Sequence, residues 1–416
     1  MEASILLVLI IAIVALNFVL EQVLNALNRK NKKHTLPKEL EGIYDEEKYH
    51  QSLAYQRAND RFHTLTASFS FIMSVVLLAT GFFGWLDIQL QPYVEDPLWR
   101  ALAYFGILFL ASDIINLPFQ LYGTFVIEEK FGFNKMNLKT FWQDKLKGYV
   151  LTIILGGLLA GVFLYLVMNI GKDFWWYFWA IAAGVMVLLN MFYTSIFVPM
   201  FNKLTPLEEG ELREAIEAYG RKVDFPIKNV YVIDGSKRSS KSNAFFSGMG
   251  KQKKVVLYDT LIENHSIEEL VAVIAHEVGH YKKKHIISGM LFSVLLTGFT
   301  LFVLSLLIFN EQLSIALGGS GLAIHLNLIA FGILFSPIST ITGLLMNVWS
   351  RKNEYEADAY ATTTYEGNAL ATALKKLSVN NMSNLLPHPW YVFFHYSHPP
   401  LLARLKAITR LSVVKS

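Results

Sequence analysis

The chain has 416 residues, no cysteine, a formal net charge of +4, 53% hydrophobic residues and only 17% charged ones. The missing cysteine excludes disulfides, Cys-ligated zinc, iron–sulfur clusters and a thiol nucleophile. The apolar fraction, with a mean hydropathy of +0.37, excludes an ordinary soluble enzyme and points to lipid as the surroundings of much of the chain.

A membrane helix needs about 20 mostly apolar residues. Seven stretches meet this: 4–26, 65–87, 99–121, 148–170, 174–201, 286–309 and 323–348. The first is preceded by Glu2 and followed by Arg29, Lys30, Lys32 and Lys33, so it reads as a retained anchor and not as a secretory signal. The positive-inside rule orients the rest. Connection 27–64 is basic, with Lys38, Lys48, Arg57 and Arg61 beyond the first four; 88–98 has no Lys or Arg. Connection 122–147 is again rich in Lys, turn 171–173 holds Lys172 alone, 202–285 is basic, and 310–322 has neither Lys nor Arg. The N-terminus is therefore expected outside, with the C-terminus and the large polar segments in the cytoplasm. Residues 1–201 form five spans with cytoplasmic loops 27–64 and 122–147, and 202–285 a cytoplasmic catalytic part. Spans six and seven occupy 286–348, and 349–416 is a second cytoplasmic part. The fold class is mainly α, a polytopic membrane protein with a cytoplasmic α+β domain.

Within 202–285, Leu207–Val223 has an amphipathic helical pattern with acids early and basic residues late. Short strands are expected at Asn229–Ile233, Asn243–Met249 and Lys253–Tyr258. Ser266 and Glu269 form a capping box ahead of the next helix. That helix carries His276-Glu277-Val278-Gly279-His280. On a helix, i and i+4 share a face, so both imidazoles reach one cation, and the intervening Glu277 is placed to take a proton from water. H-E-x-x-H is the zinc-peptidase signature.

A catalytic zinc site needs a third protein ligand. A downstream histidine in the H-E-x-x-H-x-x-G-x-x-H spacing is absent, since Lys283 and Ile286 hold the last two of those positions. His285 is one residue off and reads as solvated at the membrane boundary. Glu311, the next acid, falls across the membrane. The first acids back on the cytoplasmic side are Glu354, Glu356 and Asp358. Glu354 and Asp358 share a helix face while Glu356 projects elsewhere, which assigns Glu354 to the metal and Asp358 to a hydrogen bond with a ligand histidine. The plain alternative is a solvated acidic face. Within the spans, Asp113 and Asn116 are unusual, Asp113 reading as facing an internal aqueous space and His325 as interfacial. No P-loop or basic-aromatic platform is present, so no nucleic-acid partner is expected.

HEVGH, NEYEAD, the cytoplasmic stretch FVIEEKFGFNK (Phe125–Lys135), Asn243-Ala244-Phe245, and Ser397-His398-Pro399-Pro400-Leu401 with Arg404 together resemble the integral-membrane CAAX prenyl protease type I family, across nearly the whole chain. The resemblance implies about seven helices around an internal chamber, one zinc ion facing it, membrane lipids as surroundings, and a peptide or protein substrate. In that family the C-terminal tripeptide behind a prenylated cysteine is removed. His398 is then a candidate donor to the tetrahedral oxyanion, against a simple cap of the helix opening at Pro399. Arg404 is a candidate partner for a substrate carboxylate, against a surface helix arginine. Asn243 is a candidate substrate contact by strand addition, against turn formation. His388 and His395 read as structural. The alternatives are a quality-control metalloprotease of the HtpX kind, which usually has fewer spans, and a transporter or structural membrane protein with a vestigial zinc site. The tail Val413-Val414-Lys415-Ser416 bears no di-lysine retention signal, which favours a bacterial inner membrane over an endoplasmic reticulum.

Overall fold

The computed structural model describes residues 2–32, 44–225, 227, 229–248 and 254–415. Lys33 and Lys38 of the first basic connection, and Met249 and Lys253 at the ends of two expected strands, lie outside them. Helices α1 (Ala3–Asn31), α2 (Glu46–Ala79), α3 (Phe82–Leu90) and α4 (Pro97–Tyr122) open the chain, followed by α5 (Leu138–Leu151), α6 (Gly157–Ile170), α7 (Phe174–Phe192) and α8 (Val198–Phe201). Strand β1 (Leu204–Pro206) and helix α9 (Glu211–Lys222) lead to β2 (Val230–Ile233), β3 (Ala244–Ser247), β4 (Lys254–Tyr258), α10 (Asp259–Asn264) and α11 (Ile267–Lys282). The chain ends with α12 (His285–Leu307), α13 (Glu311–Ala316), α14 (Ile324–Thr364), α15 (Gly367–Asn380), α16 (Pro389–His395) and α17 (Leu401–Lys415).

Among the described residues, six helical runs are long and apolar enough to cross a membrane. One, Leu138–Phe201, has 64 residues, which at 1.5 Å per residue is about 96 Å, three times the ~30 Å hydrocarbon core. It cannot be one crossing. It breaks at Gly171, where φ is +73°, and at the 3₁₀ turn Gly171–Asp173. Helix α7 then returns along α6, with the Phe163 ring 5.4 Å from Phe174 and 5.0 Å from Phe178. The six runs therefore hold the seven expected stretches. The hydrophobic windows of these runs are only 6–22% buried, so most of their surface meets lipid or interior space and not another helix.

The second span departs from its expected bounds of 65–87. Helix α2 begins far earlier, where Asp45 accepts a hydrogen bond from the Glu47 backbone, and it ends before Gly81, whose φ of +66° turns the chain into α3. The short α3 is held by backbone contact: Gly84 N–H donates to Leu317 C=O at 2.9 Å, and a Cβ on Gly84 would lie 1.9 Å from the Gly318 carbonyl carbon. His325, expected at the interface, is enclosed by protein. It is 2% exposed, its Nε2 is 2.9 Å from Asp87 Oδ1, and its ring lies 4.4 Å from Tyr104. Asp113 pairs with Lys145 Nζ at 2.6 Å, accepts from the Tyr149 hydroxyl, and lines a cavity of about 700 Å³ with Ser112 and Asn116.

The part expected to be catalytic carries a four-stranded sheet of order β1-β2-β4-β3, in which β2 and β4 are parallel and the outer pairs antiparallel. Its strands follow the expected ones, with β1 added; three residues ending in Pro206 give too little alternation to be read, and proline is tolerated there because β1 is an edge. Val255 and Leu257 pack with Leu270, Ile274 and Val278 of α11, Ile216 of α9, Leu370 of α15 and Ile408 of α17. Helix α11 is apolar almost all round because it is enclosed on several sides. The capping box starts it as expected: Ser266 N–H donates to Glu269 Oε2 at 3.0 Å and Glu269 N–H to Ser266 Oγ at 3.4 Å. The FVIEEKFGFNK stretch fastens this domain to the spans, Glu128 accepting from Tyr55 at 2.5 Å and from Lys241 at 2.8 Å. Helix α14 runs unbroken for 41 residues through position 348; the division expected there is one of surroundings, not of secondary structure.

Candidate metal centre

Helices α11 and α14 cross where Gly279 faces Ala357. A Cβ on Gly279 would lie 3.1 Å from both Ala357 Cα and Tyr360 Cβ, so the absent side chain sets how closely the helices approach. That crossing brings three groups to one point. His276 Nε2 and His280 Nε2 are 3.1 Å apart, Glu354 Oε1 is 3.2 Å from His280 Nε2, and Glu354 Oε2 is 3.5 Å from His276 Nε2. Among the described residues this is the one cluster of His and acidic groups with ligand atoms all within 4.8 Å.

The donor set fits zinc. Two imidazole nitrogens and a carboxylate leave a fourth position open, as catalytic zinc sites do. Glu354 is 4% exposed, yet its Oε2 is buried with no hydrogen-bond partner, an arrangement that native proteins keep only where something else satisfies the atom. Burial pulls the His276 pKa down, but the Asp358 and Glu354 carboxylates more than offset this and push it up to about 9. Carboxylates that favour a proton at this point favour any cation there.

Around the cluster, Asp358 Oδ1 lies 2.9 Å from His276 Nδ1, which leaves Nε2 facing Glu354. Arg404 donates to the same carboxylate through Nε at 2.8 Å and Nη2 at 2.6 Å. It is 9% exposed, and although burial opposes its charge, Asp358 raises its pKa. The two-pronged face expected to meet a substrate carboxylate is thus turned onto Asp358; Nη1 lies 3.5 Å from Glu354. Glu277 keeps some solvent contact, but the protein packed around it raises its carboxyl pKa, opposed by the neighbouring histidines. His398, in the loop before α17, reaches Glu354 Oε1 with Nε2 at 3.2 Å and holds Ser397 Oγ with Nδ1 at 2.9 Å. Its side chain is 63% exposed, and burial of the remainder lowers its pKa against the raising effect of Glu354.

Asn243 is exposed and immediately precedes β3, which among the described residues pairs only with β4 and so presents a free edge. Its Oδ1 accepts from the Ala244 N–H at 2.9 Å, the local turn bond of the simpler reading, and β3 rests on α11 through Phe246 and Tyr281, rings 5.4 Å apart. His285 departs from its expected place. It is 8% exposed, with Nδ1 3.0 Å from His280 Nδ1 and Nε2 3.2 Å from Glu356 Oε2, so Glu356 also faces the site. Spacing could not find this pair, because His285 lies beyond a helix break.

An H-E-x-x-H helix facing a buried glutamate, in a frame of membrane-crossing helices, is the arrangement of a membrane metallopeptidase. Residues 25–203 match the family described as CAAX prenyl protease N-terminal, five membrane helices, and residues 206–412 match Peptidase family M48. The chain belongs to peptidase family M48 and is a membrane-embedded, multi-pass metalloprotease. It is 36% identical to the CAAX prenyl protease 1 homolog of Oryza sativa subsp. japonica, over 92% of each chain. It is 33% identical to CAAX prenyl protease 1 of Saccharomyces cerevisiae, over 91% of this chain and 90% of that one. The crystal structure of S. mikatae Ste24p superposes with a TM-score of 0.91 at 32% identity, over 97% of this chain and 99% of that one. These relatives are eukaryotic, which weighs against the bacterial inner membrane expected from the chain's tail.

Proposed function

We propose that this protein is a zinc endopeptidase that hydrolyses peptide bonds near the C-terminus of prenylated CAAX proteins or other membrane-tethered peptides. The convergence of His276, His280 and Glu354 on one point, with Glu354 Oε2 buried and unsatisfied, carries this reading. Those three residues would hold one zinc ion. Zinc when bound supplies Lewis acidity, polarising a peptide carbonyl and bringing the pKa of water toward neutrality. Glu277 takes the proton of the attacking water and passes it to the leaving amine; its raised pKa makes it a better base than a solvated carboxylate. His398 Nε2 donates to the developing oxyanion from the exposed side of Glu354. The free edge of β3 beside Asn243 receives the substrate as an added strand. Arg404 holds Asp358, and Asp358 holds the His276 tautomer. The charge pattern favours the cytoplasmic side for this machinery.

The N-terminal five-helix match and the CAAX names of the relatives favour this reading over a quality-control protease. The test is zinc content by elemental analysis, with cleavage of prenylated and unprenylated C-terminal peptides followed by mass spectrometry. Glu277→Ala should keep its zinc and lose about 10²–10⁴-fold in rate. Wild-type cleavage by a zinc-loaded Glu277→Ala protein would remove the base role, and release of products other than a C-terminal tripeptide would remove the CAAX assignment.

A further inference from the structure

The two histidines of the cluster are held differently. His276 Nδ1 meets a carboxylate directly, whereas His280 Nδ1 meets another imidazole, His285, 3.0 Å away. The rings of His280 and His285 lie 5.1 Å apart at 73°. The far nitrogen of His285 faces Glu356 Oε2 at 3.2 Å, and Glu356 is steadied in turn by Lys352, one helical turn earlier on α14, at 3.8 Å.

Only one proton arrangement of neutral rings satisfies this chain. The Glu356 carboxylate can only accept, so His285 Nε2 carries the hydrogen. His285 Nδ1 then bears a lone pair and accepts, so His280 Nδ1 carries the hydrogen and donates. His280 Nε2 is left with its lone pair, aimed at His276 Nε2 and Glu354 Oε1, 3.1 and 3.2 Å away. The backbone is built for it. Helix α11 ends at Lys282, and Lys284 takes the left-handed conformation at φ +61°, rare for a lysine, so that α12 begins with His285 folded back over His280.

We infer that His285, backed by Glu356, is a positioning residue that fixes the metal-binding tautomer and orientation of His280, a relay of α12 and α14 matching the direct Asp358 contact to His276. The inference rests on the zinc reading of the His276, His280 and Glu354 cluster. Its test is the zinc dissociation constant of the full-length protein in detergent, by competition with a chromophoric chelator. His285→Phe fills the same space without an acceptor and should weaken zinc by about 10–100-fold. His285→Asn, whose Oδ1 still accepts from His280, should recover most of that loss. Glu356→Ala, a half-exposed position outside the packed core, should weaken zinc in the same direction and by less, and serves if His285→Phe does not fold. Zinc affinity within twofold of wild type in both His285→Phe and Glu356→Ala, or equal losses in His285→Phe and His285→Asn, would overturn the positioning role. Failure of the wild-type protein to compete for zinc at all would instead overturn the metal-site reading.

Discussion

Asp358 serves two neighbours at once. Its carboxylate fixes the His276 tautomer and neutralises a buried arginine whose fork has no equal partner elsewhere. Asp358→Ala is therefore expected to act twice. It should weaken zinc by about 10–100-fold, and it should lower the stability of the zinc-free protein by about 3–5 kcal/mol, because Arg404 loses its two-pronged carboxylate partner and keeps only longer contacts among the described residues, to Glu354 at 3.5 Å and His276 Nδ1 at 3.4 Å. Chelator competition reads the first effect and thermal unfolding of the chelated protein the second. A loss of stability with unchanged zinc affinity would limit Asp358 to pairing Arg404. Much at this scale was legible beforehand. His276, His280, Glu354 and Asp358 follow from helical spacing plus the sidedness of the membrane, both of which are periodic or cumulative signals. His285, Glu356 and the inward turn of Arg404 were not, because each depends on a tertiary contact. A positive φ at Lys284 folds His285 back, and α17 lies so that Arg404 meets α14.

At the scale of elements, the catalytic geometry is a helix crossing. Gly279 occupies a motif position with no required chemistry, yet its missing side chain lets α11 touch α14 at Ala357. Gly279→Val would press a branched side chain against backbone and should move Glu354 away from the two histidines. The expected result is a protein purified with little zinc and a lowered unfolding temperature, measured by elemental analysis and thermal shift. A zinc-replete Gly279→Val protein would mean that the crossing tolerates separation. The capping box and most of the α/β elements were readable from local chemistry, since a Ser–Glu pair three residues apart and short β-branched runs carry their own signals. The second span was misread at both ends. Its first half, in Glu46–Ala79, is polar enough to look like a loop, and its break at Gly81 answers to a backbone contact with a segment more than 200 residues later.

For the whole molecule, the charge alternation makes a sided prediction that the lack of cysteine renders clean to test. Tyr93, 85% exposed, and Lys172 occupy connections expected outside, whereas Glu208 lies in the catalytic part. Single cysteines at Tyr93 and Lys172 should react with an impermeant maleimide from the outer face of oriented vesicles. One at Glu208 should react only after permeabilisation. The reverse pattern would invert the assigned orientation. The apolar stretches themselves were legible because each is local, and the turn at Gly171 divides the longest of the six helical runs into two of them.

The crossing of α11 and α14 joins points nearly 80 residues apart along the chain, with two expected membrane spans between them. A cation held by His276, His280 and Glu354 closes that whole loop, much as a covalent cross-link would in a secreted protein. In a chain with no cysteine, such an ion would thus also be a clasp: the free energy of capturing it would be shared with the free energy of keeping two distant helices together.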